Sequence, residues 1–364
     1  MRHVIRLCCL ALLIGGSLPA TALQFDWGDF SVSGKTFVTV GAGWRLEERD
    51  NDLVYKTNVE GQQNLCAADD CLSFFGDTGP NQRLVDAEGS FSGHLFDNGN
   101  LNYDKGDLYT ALVKVNSDWG VNWKDWLFKA NVVGFFDEIN TDFDETHPNT
   151  LFQPAETRRS KAIEDRAGNQ IKLRSWQIGS TFNAFDRDFF FTIGRTRLRW
   201  GESNLTLFNT LDFINPLDAS LARQPGFPLK ETWSPVELFT LGSDITESTS
   251  VEVFYQLNWR PTVPEPSGTF FSSIDALGGG DNAQLTLGQF PEDLDSRYVS
   301  SGTLSLFSNS HRTVFMPNEK KFGARDGGQY GISVRTFLPD ILNGTELGFY
   351  YANVHSRLPY LSFI

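Results

Sequence analysis

Three arginines occupy alternate positions, Arg195, Arg197 and Arg199. On a strand, successive side chains point to opposite faces, so this spacing stacks three guanidinium groups on one side. Such a column offers paired N–H donors to carboxylate or phosphate and biases a passage toward anions. Lys35 and Arg45, on the polar side of an earlier alternating segment, would add to the same field. Glu202, just past the Trp200-Gly201 break, would sit at the mouth and meet either the arginines or a passing solute. A competing reading has the arginines pair with acids such as Glu252 or Glu346 and brace the fold, and the two are compatible.

Other chemistry finds little support. His94, His147, His311 and His355 stand in no nucleophile motif, and no Gly-x-Ser-x-Gly elbow, His-Glu-x-x-His helix or phosphate-binding glycine loop occurs. No catalytic residue is assigned, and the chain is not read as an enzyme. The run Asp97 to Asp107 alternates oxygen side chains around Gly99 and Gly106, but lacks the calcium-loop spacing and its twelfth-position Glu, so it reads as a polar turn. Acidic pairs such as Asp69-Asp70 and Asp137-Glu138 are most simply solvated. Cys66 and Cys71 are expected to close a small loop as a disulfide in an oxidising compartment; zinc is the lesser alternative, since no His stands nearby. No metal or cofactor is expected.

The elements that would position these residues alternate with a period of two. From Phe30 to Arg45, Val32, Gly34, Thr36, Val38, Val40, Ala42 and Trp44 share one face, and Ser31, Ser33, Lys35, Thr39 and Arg45 the other. A strand this long exceeds the usual globular strand and suits a tilted bilayer crossing. Ser250 to Trp259 repeats the pattern with Val251, Val253, Tyr255, Leu257 and Trp259 opposite Ser250, Glu252, Gln256 and Asn258, only Phe254 breaking the polar side. Trp126–Asp137, Gln329–Phe337, Tyr109–Ser117, Ile171–Phe182, Phe189–Trp200 and Thr345–His355 are further expected strands, several ending in aromatics that suit interfacial girdles. In Phe189–Trp200, three charges facing hydrocarbon would each cost roughly 2 to 4 kcal/mol near the midplane. That puts Phe190, Thr192, Gly194, Thr196, Leu198 and Trp200 on the lipid side and the arginines on the lumen side. Long irregular stretches separate the strands at Asp50–Gly106, Ile139–Gln170, Gly201–Pro235 and Pro261–Gly328, with short turns at Asn116–Lys124 and Leu338–Gly344.

The chain opens with Arg2 and Arg6, an apolar run from Leu7 to Ile14, and Ala20-Thr21-Ala22, the pattern of an export signal over residues 1–22. Its removal would take the net charge from -14 to -16, which argues against a nucleic-acid partner. Residues 23–364 are then one β domain.

The stretch Gly194-Arg195-Thr196-Arg197-Leu198-Arg199-Trp200-Gly201-Glu202-Ser203, followed by Ile214-Asn215-Pro216-Leu217-Asp218 and Leu229-Lys230-Glu231, resembles the exported Gram-negative proteins grouped as domain of unknown function 1302. So do the run Asp97 to Asp107, Ser267-Gly268-Thr269-Phe270-Phe271, and His355-Ser356-Arg357-Leu358-Pro359-Tyr360. The resemblance implies a barrel-like envelope protein with no settled activity. It further implies association with a domain of unknown function 1329 partner and with resistance-nodulation-division exporters, in contexts that include the metabolism of steroids or other hydrophobic compounds. Members of the family continue past the His-Ser-Arg-Leu-Pro block, so an N-terminal fragment is expected, with C-terminal strands missing from the barrel.

Sequence and resemblance together give the expectation of an all-β, antiparallel transmembrane β-barrel with long outer loops, seated in outer-membrane lipid of a Gram-negative bacterium. It would serve as a channel or handover path for hydrophobic or amphipathic, anionic small molecules. The rival expectation is a non-conducting scaffold that docks an export system.

Overall fold

A computed structural model describes residues 22–358, apart from 57, 63, 67, 70, 72, 74, 91–97, 147–157, 202–210, 227–231, 273–281, 287–310 and 316–322. Residues 1–21 of the expected export signal, together with Asp97, Glu202-Ser203, Leu229-Lys230-Glu231 and Pro359-Tyr360 of the motif blocks, lie outside the described residues. The chain is mostly β. Strands β1 (Ala22–Trp27), β2 (Phe30–Trp44), β3 (Leu108–Trp123), β4 (Trp126–Asp137), β5 (Asn169–Ala184), β6 (Arg187–Thr196), β7 (Val236–Thr246), β8 (Thr249–Gln256), β11 (Gln329–Leu338) and β12 (Thr345–Asn353) form one ten-stranded antiparallel sheet in chain order. Between β8 and β11, β9 (Asn282–Thr286) and β10 (His311–Phe315) pair as a separate hairpin. β1 and β12 are the sheet's edges, each hydrogen-bonded to one neighbour.

Short turns and long connections alternate, so all short turns share one end of the sheet and all long connections the other. At Phe185-Asp186, both residues between β5 and β6 have positive φ, 56° and 58°, the backbone of the tight hairpin whose twist matches its strands. Gly28 (φ 58°) and Lys124 (φ 52°) open the two-residue turns after β1 and β3. The short turn expected at Asn116–Lys124 is corrected here: β3 runs unbroken to Trp123 and only Lys124-Asp125 turn. Asn116, Asp118, Gly120 and Asn122 are one side of that strand, whose polarity mimics turn composition, while Val115, Trp119 and Val121 occupy the other.

The register makes the sheet two-faced. Val38, Val40, Val113, Val115, Trp119, Phe128, Ile178, Phe191, Ile193, Phe239, Leu241, Val253, Ile332 and Phe349 all fall on one side. That side is bare, with Val38 52%, Phe349 63% and Tyr351 57% exposed. Toward the short turns, Phe30 stacks on Trp123 at 5.5 Å and Phe182 on Phe189 at 5.4 Å, adding aromatic rings at that end.

The opposite face is polar and covered. The connection between β6 and β7 folds back across it. Leu198, Trp200 and Ile214 pack on Val236, Leu238 and Phe254, with Tyr350 and Ala352 against them. Further on, Leu221 packs on Leu112 and Phe135. Leu221 belongs to a short helix, Ala219–Ala222, whose first turn Asp218 caps by accepting from the Leu221 N–H at 3.3 Å. Gly41 admits this segment, because a Cβ there would lie 2.3 Å from Pro225 Cβ. Phe254, the apparent flaw in the alternation of β8, is the sheet's half of this contact and meets Trp200 edge-on at 5.0 Å.

Candidate functional site

The β6–β7 connection leaves part of the polar face uncovered, and a cavity of about 400 Å³ opens there. Its floor is built by alternate residues of consecutive strands: Asn116 and Asp118 from β3, Lys129 and Asn131 from β4, Gln177 from β5. Arg174 joins them because β5 carries an extra residue opposite Asn131/Val132, which re-aims the chain there. Arg197, Arg199, Trp233 and Pro235 close the side formed by the covering segment. Asn131 donates to Asn116 Oδ1 at 2.6 Å and to Asp118 Oδ1 at 2.7 Å, holding the floor polar groups in place. The Arg174 Nη2 donates to the Trp233 carbonyl at 2.9 Å, and the Arg197 guanidinium lies over the Trp233 ring at 5.0 Å.

The predicted arginine column is therefore split. β6 ends at Thr196, so Arg197 and Arg199 leave the strand and line the cavity from the covering segment. Arg195 is still in the strand and opposite Trp176 and Glu237, on the face of Phe191 and Ile193. It pairs with Glu237 at 2.5 Å, and Glu237 also accepts from Arg260 at 2.6 and 2.9 Å. For Arg195 the bracing acid is thus Glu237 rather than Glu252 or Glu346. Inversion of the expected phase has a physical reason: Phe189-Phe190-Phe191-Thr192-Ile193 is apolar on both faces, and the arginines used to set the phase do not all belong to the strand.

Lys35 lies on the polar face in register with Asp118, its Nζ 4.5 Å from the Phe37 ring centre. Arg45 lies just past β2 and grips the connection that follows, donating to Asn100 Oδ1 at 2.6 Å and to the Asn100 carbonyl at 3.0 Å. Partial burial and the neighbouring Arg49 hold its guanidinium below the ordinary arginine range. Glu202 lies outside the described residues. Cys66 and Cys71 form a disulfide packed on Leu84, away from the cavity. Sequence reasoning missed Lys129, Arg174, Asp118, Trp233 and Glu237. The alternation of β4 does signal Lys129, whereas Trp233 lies in a connection that has no period to read.

The motif blocks quoted above meet in two places. In the first, Leu198 N–H donates to Asn215 Oδ1 at 3.1 Å, Asn215 Nδ2 returns to the Leu198 carbonyl at 2.8 Å, and Arg357 donates to the Ile214 carbonyl at 3.0 Å. Burial lowers the Arg357 pKa to about 10. In the second, Asn102 donates to Glu145 and, at 2.9 Å, to the Gly268 carbonyl, which also accepts from Arg159 at 2.8 Å. Arg159 donates to Glu145 Oε1 at 2.8 Å, and burial raises the pKa of the adjoining Tyr103 hydroxyl. The model of the family described as protein of unknown function (DUF1302) matches residues 3–364. The chain belongs to DUF1302. Comparison of this DUF1302 chain with curated proteins and with solved structures gives no match. In the DUF1302 chain, both meeting points tie long connections together at the end of the sheet opposite the short turns.

Proposed function

We propose that this protein is exported by the signal over residues 1–22 and spans the outer membrane of a Gram-negative bacterium, its sheet closing into a barrel around the polar face. It provides a channel or handover path for hydrophobic or amphipathic small molecules, anionic ones foremost. The observation that carries this reading is the two-faced sheet: one bare face is apolar along successive strands, while the other is polar and lines a cavity rich in basic side chains. A bare apolar surface of this extent on a soluble domain would drive association, whereas hydrocarbon satisfies it. Charge on that face falls at its margins among the described residues: Arg195 and Glu237 neutralise one another at the loop side, and Arg187 opens β6 at the short-turn side, donating to the Asp244 and Ile245 carbonyls.

The test has two parts. Protein from isolated outer membranes should migrate differently on gels when boiled and unboiled, as a closed barrel does; in planar bilayers it should prefer anions over cations. A soluble periplasmic protein with no boiling-dependent shift would overturn the reading.

A second reading is favoured by the covering segment: with the polar face occupied by residues 198–201 and 211–226, the same sheet would serve as a non-conducting scaffold for an export system. A DUF1329-type protein and a resistance-nodulation-division exporter are the proposed partners. A scaffold co-purifies with envelope partners and gives no conductance, and the bilayer measurement separates the two.

A further inference from the structure

We infer that the cavity bounded by Lys129, Arg174, Arg197 and Arg199 is a binding site for the carboxylate of a small organic anion. The inference deepens the proposed function and rests on its reading of the polar face as a solute path. Three observations support it.

First, the charge is concentrated against the trend of the whole molecule. The chain is acidic, with a net charge of -14, yet the described lining of this cavity has Lys129, Arg174, Arg197 and Arg199 against one acid, Asp118. Lys35 on β2, Lys114 on β3 and Lys172 on β5 lie on the same face, the last paired with Asp218 at 3.7 Å. Like charges gathered in a recess with protein walls focus the field and raise the local concentration of a counter-charge.

Second, the basic groups come from different sources, and two of them are held in place. Lys129 rises from a strand, and Arg174 is anchored to the Trp233 carbonyl at 2.9 Å. Arg197 is stacked on the Trp233 ring at 5.0 Å. Guanidinium groups fixed in this way are already oriented, so little rotamer freedom is lost when they meet a planar carboxylate.

Third, the size and walls fit an organic anion rather than a bare ion. About 400 Å³ is within the range of small-molecule pockets. Asn116, Asn131 and Gln177 supply neutral hydrogen-bonding groups, and Trp233 and Pro235 form an apolar side for the body of the ligand.

The probe is benzoate, with benzamide as its neutral isostere, titrated calorimetrically into full-length protein in a non-ionic detergent. Benzoate should bind with one-to-one stoichiometry and weaken as salt rises, while benzamide should show no saturable binding. Lys129 and Arg199 are exposed and sit at the cavity wall, so the double variant Lys129→Gln/Arg199→Gln keeps the fold, as the boiling-dependent gel shift would verify. It should bind benzoate about ten-fold more weakly, the loss of charge-assisted contacts. Arg197→Gln should weaken it comparably. Equal binding of benzoate and benzamide, or unchanged benzoate affinity in a folded double variant, would overturn the site. The two proposals fail separately. Charge-dependent benzoate binding by a protein that never conducts would leave the site and discard the channel; conductance without benzoate preference would leave the channel and discard the site.

Discussion

The indole Nε1 of Trp200 donates to Glu252 Oε2 at 2.7 Å, joining the covering segment to the polar face of β8. Beside it, Trp200 packs on Phe254, so one side chain supplies both the apolar and the polar attachment of that segment. Glu252→Ala removes the acceptor and leaves a buried N–H, at a cost of about 1–3 kcal/mol. The expected outcome is an earlier urea midpoint for the Trp200 environment, read by tryptophan emission, with sheet content by circular dichroism unchanged until higher urea. Coincident, unshifted transitions would show that the bond does not hold the segment.

At the other end of the same segment, the close approach of Pro225 to Gly41 gives a steric test. A Cβ at Gly41 would lie 2.3 Å from Pro225 Cβ, far inside contact distance. Gly41→Val is therefore expected to lift residues 223–226 from β2, at a cost of about 1–3 kcal/mol for overpacking. Arg223 is exposed and marks this segment for trypsin. Cleavage after Arg223 should run faster in the variant while the sheet stays intact, and an unchanged rate would mean that the segment accommodates the side chain.

Arg357 provides a pH test. It is 5% exposed and donates to the carbonyls of Ile214 and Arg260 and to the Gln256 side chain at 2.6 Å, and burial brings its pKa to about 10. Between that value and the ordinary arginine range, the unfolded chain binds more protons than the folded one. The contribution of Arg357 to stability therefore rises with pH in this window, by at most about 1.4 kcal/mol per unit. Tyrosine ionisation acts in the same range, so the quantity to measure is the stability of the parent minus that of Arg357→Met, followed from pH 9 to pH 11 by urea unfolding. The difference should shift in favour of the parent as pH rises; a flat difference would mean that burial does not depress this guanidinium.

Much of the sheet was legible in the sequence; β1, β9 and β10 were not expected as strands, and the misreadings of β6 and β7 share one cause. β2, β4, β8 and β11 alternate cleanly because one face is apolar and the other polar, and their expected faces match the register. β7 was missed: Val236 and Leu238 on one side and Phe239 and Leu241 on the other leave no contrast between faces. The reason is the covering segment, which buries Val236 and Leu238 on what would otherwise be a polar face. The same segment explains Phe254 and the misread phase of β6. The tracing of residues 198–201 and 211–226 across the sheet has no period at all, being fixed by long-range contacts such as Leu221 with Leu112 and Gly41 with Pro225. Half of the candidate site was legible for the same reason, with strand residues such as Lys129 open to reading and Trp233 not.

The Arg195–Glu237 pair sets charge on the apolar face at its loop-side margin, and it tests the orientation of that face. Glu237 accepts from Arg195 at 2.5 Å and from Arg260 at 2.6 Å, so Glu237→Gln leaves two guanidinium groups without their carboxylate. Arg195 lies one residue from the end of β6, toward the long connections. A charge near the bilayer interface costs about 0–1 kcal/mol against roughly 2 to 4 at the midplane. The expected loss on Glu237→Gln is therefore about 1 kcal/mol, read as reversible urea unfolding of protein inserted in lipid vesicles. Adding Arg195→Gln should return part of that loss, because the pair interacts directly and the two changes do not add. The recovery should be larger in vesicles than in detergent micelles, where water reaches the guanidinium freely. Equal recovery in both, or a loss of several kcal/mol from Glu237→Gln alone, would place Arg195 away from the membrane margin and reverse the assignment of the two faces.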